Sequence, residues 1–248
     1  MVFKKLFSST ASSNHLNDFS AVAVDMHSHL IPGIDDGAAT IDDSIALARR
    51  MYDLGYKKMI TTPHIQHEFF KNTPQNIQQG IQEVRAALKQ ENIPLLVEAA
   101  AEYLIDDGFE DIHAKGELMT FGEKYVLVEL SYYNPHPNLK GIIFNLQVEG
   151  YRIILAHPER YAFWFDDFKQ YEDLKNRDVY FQINLVSLSG YYPDPIKKIS
   201  EKLIERGMIE FAGSDMHNMR SIDALERSIK EKSLVKLIES GRLLNAGL

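Results

Sequence analysis

Apolar, β-branched-rich runs recur along the chain at residues 21–26, 58–62, 94–99, 125–130, 152–156, 179–184 and 208–212. Each is only five or six residues long, a strand's length. Between them, apolar residues repeat with the helical period. Thr40 or Asp42 can cap a helix that carries Ile41, Ile45, Ala48 and Met51 on one face and ends near Gly55. Thr73-Pro74 opens a second, which continues through Ile77, Ile81 and Val84 to Leu88. Residues 138–149, 168–175, 195–205 and 221–240 supply four more. Regular strand–helix alternation implies a parallel sheet, and so many repeats favour closure into a barrel. The expected fold is therefore α/β, a distorted (β/α)7 TIM-like barrel in a single domain, with a doubly wound open sheet as the alternative. Residues 1–20 read as a mobile extension ahead of a barrel over 21–248; Phe3, Leu6 and Phe7 within it fit one turn of helix.

Composition narrows the function classes. With 45% hydrophobic and 25% charged residues the chain can bury a substantial core, and nothing suggests disorder. No run approaches the roughly 20 apolar residues of a membrane span. Lys4 and Lys5 are followed by no apolar segment of a secretory signal, so the expected location is cytoplasmic. A net charge of −8 argues against a nucleic-acid surface, which needs a basic stripe. The absence of cysteine removes disulfides and every thiolate nucleophile.

The residues that follow the strands carry the chemistry. Strand one runs into Asp25, His27 and His29, strand two into His64, strand three into Glu102 and strand four into Glu129. Strand five runs into His157, and strand seven into Asp215 and His217. In an α/β barrel all these positions surround one mouth. Asp35 and Asp36 precede Gly37 and suit a turn, but their loop faces the His27–His29 pair, which makes Asp36 a candidate ligand. His15, His113 and His136 read as surface residues, and His67 as peripheral. The nine candidates His27, His29, Asp36, His64, Glu102, Glu129, His157, Asp215 and His217 exceed what one ion takes. With bridging carboxylates they suit two or three divalent metals, and Mn, Fe, Zn and Mg are all permitted by nitrogen and oxygen donors. Arg160 and Arg220, each three residues after a histidine of the set, can fork onto phosphate oxygens. The same loops hold Phe69-Phe70, Tyr132-Tyr133, Tyr161, Phe163-Trp164-Phe165 and Tyr191-Tyr192, which suit a planar substrate group.

Asp25-Met-His27-Ser-His29, Thr-Thr-Pro-His64, His157 and Ser-Asp215-Met-His217 resemble the four motifs of the polymerase and histidinol phosphatase (PHP) superfamily. The strings from His27 to Gly37, Ala-His157-Pro-Glu-Arg160-Tyr and Ser-Asp215-Met-His217-Asn resemble one branch, the bacterial metal-dependent protein-tyrosine phosphatases of capsule and exopolysaccharide clusters. That resemblance implies a trinuclear, typically Mn-activated phosphatase on the PHP barrel, with the nine candidates as ligands and Arg160 and Arg220 holding the phosphoryl group. It implies attack by a metal-activated hydroxide, and as substrate the Tyr-rich tail of a polysaccharide-assembly tyrosine kinase. The segment 182–188 departs from the pattern, and Ser187 is assigned no role. Three alternatives remain: a phosphatase of a small phosphomonoester such as histidinol phosphate, a PHP nuclease, and a non-catalytic adaptor that binds a kinase.

Overall fold

The computed structural model describes residues 16–248; the N-terminal helical turn expected around Phe3–Phe7 lies outside them. Among the described residues the strands are β1 (Val24–Asp25), β2 (Lys58–Thr61), β3 (His64–Ile65), β4 (Leu96–Ala99), β5 (Glu102–Leu104), β6 (Tyr125–Glu129), β7 (Arg152–Ala156), β8 (Tyr180–Asn184) and β9 (Phe211–Gly213). All pair in parallel, in the orders β1-β2-β4 and β3-β5-β6-β7-β8-β9. Two of the expected strands are therefore each two segments, β2 with β3 and β4 with β5. Pro63 separates the first pair because it has no N–H for the ladder. Counted as staves, these segments make a distorted seven-stranded barrel.

The seam between β9 and the chain after β1 is short. At the top, the amide of Asp215 donates to the carbonyl of His27 (2.8 Å) and the amide of His29 to that of Met216 (3.0 Å). Lower down, buried Asn245 replaces the missing ladder. Its Nδ2 donates to the carbonyls of Val24 and Ala212, and its Oδ1 accepts from the Ala212 amide.

The helices are α1 (Ile41–Asp53), α2 (Pro74–Gln90), α3 (Phe109–Ala114), α4 (Leu139–Val148), α5 (Lys169–Lys175), α6 (Asp194–Glu205), α7 (Met219–Ser228) and α8 (Lys232–Glu239). Thr40 and Thr73 cap α1 and α2 with reciprocal hydrogen bonds from Asp43 and Asn76. The single helix expected over 221–240 is two. The chain is extended at Glu231, whose carboxylate holds Lys197 of α6 at 2.9 Å, and no glycine or proline marks the break. Short α3 was not expected. The fold also begins ahead of residue 21, because buried Phe19 stacks on Tyr56 with ring centroids 5.3 Å apart.

Alternation along the staves sorts the core into two compartments. In β6, Val126 and Val128 join the apolar layer under the helices, whereas Tyr125 and Leu127 fill the barrel with Val24, Met26, Ile60, Ile154 and Phe211. The next inward residue of β6 is Glu129. In β8 the residues alternating with Phe181 and Ile183 are Gln182 and Asn184, both buried. The barrel interior thus changes from apolar below to polar above.

A candidate metal centre in the barrel mouth

All nine candidate donors converge on the upper half of the barrel. They form four overlapping sets: His29, Asp36, His64 and His217; His27, His29 and Glu102; His27, His157 and Asp215; and His64, Glu102 and Glu129. Within each set the ligand atoms lie within 4.8 Å of one another. Backbone geometry aims several of them. His157, directly after β7, and Asp215, two residues after β9, have φ of 34° and 51°, a left-handed conformation costly for residues with a Cβ. Gly37 is required by close approach, since a Cβ there would sit 2.3 Å from the His29 carbonyl oxygen. At Gly213 a Cβ would meet the His27 Cβ at 2.7 Å.

Hydrogen bonds behind the histidines orient three of them. His27 Nδ1 donates to Gln182 Oε1 at 2.8 Å, His29 Nδ1 to Asp35 Oδ2 at 2.8 Å, and His217 Nδ1 to the Asp215 carbonyl at 2.9 Å. Each Nε2 then presents a lone pair to the centre. What it meets there is more lone pairs. His27 Nε2 lies 3.0 Å from Glu102 Oε2 and 3.4 Å from Asp215 Oδ1, and His217 Nε2 lies 3.3 Å from Asp36 Oδ1. Buried His29 Nε2, with no hydrogen-bond partner among the described residues, is 3.4 Å from Asp215 Oδ1 and 3.6 Å from Glu102 Oε2. Acceptors facing acceptors in a buried site need a cation between them. Ligands about 2.1 Å from a tetrahedral metal ion stand about 3.4 Å apart, close to these separations. The residues present therefore fit divalent metal ions.

Without metal, protons serve as the cations. Burial opposes charging His27 and His64, yet Glu102, joined by Asp215 at His27 and Glu129 at His64, raises both to about 10. Burial likewise opposes charging His217, but Asp36 and Asp215 raise it to about 9. Despite burial, the surrounding imidazoles hold Glu102 and Asp215 well below the ordinary carboxylate range. Asp35, also buried, falls to about 2 beside His29.

Above the donors opens a cavity of about 420 Å³ whose lining includes Asp36, His64, Gln66, Phe70, Glu129, Tyr132, His157, Arg160, Tyr191, Tyr192 and His217. Arg160 donates from Nη1 to Asp215 Oδ2 at 3.1 Å. Arg220 is not in this lining; it is exposed on the first turn of α7, its guanidinium carbon 5.8 Å from the centre of the Tyr191 ring. The aromatic loops divide in the same way. Phe70, Tyr132, Tyr191 and Tyr192 line the cavity, Tyr161 and Trp164 belong to the core, and Phe69 and Tyr133 project outward, 79% and 90% exposed. His67 is exposed, and the His113 and His136 rings pair with Glu149 and Asp107 away from the cluster.

Sequence reasoning passed over the supporting residues. Asp35 receives the amides of Gly37 and His64 besides the His29 ring. Asn184 Nδ2 donates to Asp215 Oδ2, and Gln66 Nε2 to Glu129 Oε1. Glu159 accepts from the Asn184 amide and from Ser187 Oγ, which gives Ser187 a structural place. The one signal for Gln182 and Asn184 was their alternation with Phe181 and Ile183 inside an apolar strand.

Comparison with known proteins agrees with the resemblance carried by the motifs. The tyrosine-protein phosphatase YwqE of Bacillus subtilis is 31% identical over 199 residues, 80% of this chain and 78% of that protein. The tyrosine-protein phosphatase CpsB of Streptococcus pneumoniae is 28% identical over 205 residues, 80% of this chain and 84% of its own length. A crystal structure from a study of these two proteins, described as metal-dependent tyrosine phosphatases, superposes with a TM-score of 0.78 at 29% identity, covering 90% of this chain and 94% of that one. A histidinol phosphate phosphatase from Lactococcus lactis shares the fold, with a TM-score of 0.52 at 16% identity over 84% of this chain and 92% of its own. The family described as capsular polysaccharide synthesis, CpsB/CapC, matches residues 23–231, which contain every donor of the mouth. The chain belongs to the CpsB/CapC family of capsular polysaccharide synthesis proteins.

Proposed function

We propose that the protein is a metal-dependent protein-tyrosine phosphatase. The observation that carries this reading is the ring of imidazole and carboxylate lone pairs converging beneath an arginine-bearing cavity. His27, His29, Asp36, His64, Glu102, Glu129, His157, Asp215 and His217 would hold two or three divalent ions, Mn foremost. Such ions, when bound, supply Lewis acidity toward phosphoryl oxygens and lower the pKa of water to the neutral range.

The chain's own residues do the rest. Arg160, fixed on Asp215, offers its remaining N–H donors to the phosphoryl oxygens as charge builds on them. Arg220, at the rim beside Tyr191, is assigned the outer side of the same group. The absence of cysteine removes a thiolate nucleophile, and the transfer proposed is directly to water. A tyrosinate leaving group, with a pKa near 10, needs little protonation, and no acid is assigned to it.

The proposed substrate is a phosphotyrosine protein, the Tyr-rich tail of a polysaccharide-assembly kinase, and the proposed location is the cytoplasm. Among the described residues, no helix is long and apolar enough to cross a membrane. The test is to strip the protein with chelator, restore Mn, and compare a phosphotyrosine peptide, a phosphoserine peptide and histidinol phosphate. Mn-dependent preference for phosphotyrosine is expected. Preference for histidinol phosphate would overturn the tyrosine assignment, and full activity after metal removal would overturn the metal mechanism.

A further inference from the structure

Arg160 stands on the loop after β7, the stave between β6 and β8. From the loop after β6, the Tyr132 ring centre comes within 4.7 Å of its guanidinium carbon; from the loop after β8, Tyr192 comes within 4.8 Å. The Arg160 side chain, 22% exposed, donates from Nη1 to Asp215 Oδ2 at 3.1 Å. That oxygen also receives Asn184 Nδ2, and Asn184 Oδ1 receives Gln182 Nε2. We propose that Tyr132 and Tyr192 are positioning residues, an aromatic clamp that holds the Arg160 guanidinium with its free edge toward the cavity, ready for a phosphoryl group. This rests on the phosphatase reading, within which it assigns a new role to two rings of the cavity wall.

The physical case is one of freedom removed before binding. An arginine side chain has many rotamers, and ordering it only when phosphate arrives weakens binding. A guanidinium over a tyrosine face is attracted by the ring quadrupole whether or not phosphate is present. The rings act on the cation through their faces, so their hydroxyls are dispensable. Tyr132 is further braced by stacking on His157, with ring centroids 6.0 Å apart, and Tyr192 by an edge contact with Tyr191 at 5.0 Å. Rings committed in this way are less available to grip a substrate ring than their place in the wall suggests.

The test is calorimetric titration of the Mn-loaded protein with inorganic phosphate. Tyr132→Leu and Tyr192→Leu should each weaken phosphate binding by roughly fivefold, the scale of one partly exposed cation–π contact. Tyr132→Phe and Tyr192→Phe should stay within about twofold. In an Arg160→Ala background the leucine substitutions should have no further effect. The proposal is overturned if leucine leaves phosphate affinity unchanged, if phenylalanine loses as much as leucine, or if the loss persists without Arg160. Hydrolysis of a phosphotyrosine peptide by the wild-type protein tests the phosphatase reading separately, so the two can fail independently.

Discussion

The lower and upper halves of the barrel interior are built from the same staves by opposite chemistry. Below, Val24, Met26, Ile60, Leu127, Ile154 and Phe211 pack as an ordinary apolar core. Above, buried histidines, Glu102, Glu129 and Asp215 face one another lone pair to lone pair. The lower half gains free energy from leaving water, at roughly 25 cal/mol per Å² of apolar area. The upper half loses hydration and recovers it only with cations in place. A single strand such as β6 crosses from one regime to the other between Leu127 and Glu129. Stability therefore resides mainly below and function above, and the two should be separable.

The sharpest way to break the separation is to remove a donor. His27→Ala and His157→Ala should each cost at least roughly 100-fold in hydrolysis of a phosphotyrosine peptide, since even outer partners of a metal typically cost 10–100-fold. Circular dichroism of these variants should remain that of the folded barrel. Loss of the fold would show that the upper half is part of the scaffold after all.

The reciprocal change is Leu127→Ala. It should lower stability by about 3 kcal/mol, roughly 6–12 °C in Tm, while leaving the number of metals per chain unchanged. A drop in metal stoichiometry would mean that the two halves are coupled.

A subtler probe lies at the border between them. Gln182→Leu roughly keeps the stave's volume but removes the acceptor that sets the His27 ring, so metal affinity should fall about 10–100-fold. Asp35→Asn tests the equivalent support of His29 by the same measurement, chelator competition.

The last probe is a slope with pH in the metal-free protein. His27 and His64 are raised to about 10 and His217 to about 9, above an unfolded value of 6.5. Their stabilising contribution is complete below that unfolded value and is lost as pH rises through 9 to 10. The chelator-treated protein should therefore melt lower at pH 10 than at pH 6. The metal-loaded protein, whose imidazoles are already deprotonated, should lack that trend. An identical slope in both forms would remove the protonated-cage account.

Much of this organisation was legible because barrel chemistry sits at predictable points along the chain. His27, His64, Glu102, His157 and Asp215 each follow an apolar run, and a parallel barrel brings the ends of its strands to one mouth. Three features were not legible, each for a local reason. The break between α7 and α8 carries no glycine or proline; the residue at it, Glu231, is paired with Lys197 of another helix. Asp36 is singled out by its loop, facing His64 and His217, but Asp35 reads only as a turn residue and yet turns inward to the His29 ring. Arg160 and Arg220 have the same spacing from a histidine, but one follows a stave flanked by two tyrosine loops while the other lies on an exposed helical turn.

The sequence by itself determined the α/β alternation, the donor types and the absence of a thiolate, because periodicity and residue chemistry are local properties. Only the tertiary structure decided which lone pairs meet, which carboxylate supports and which faces the cavity, and which arginine is held. Those outcomes depend on distances between residues as far apart as His27, Glu102 and Asp215, and closure of the barrel alone sets those distances.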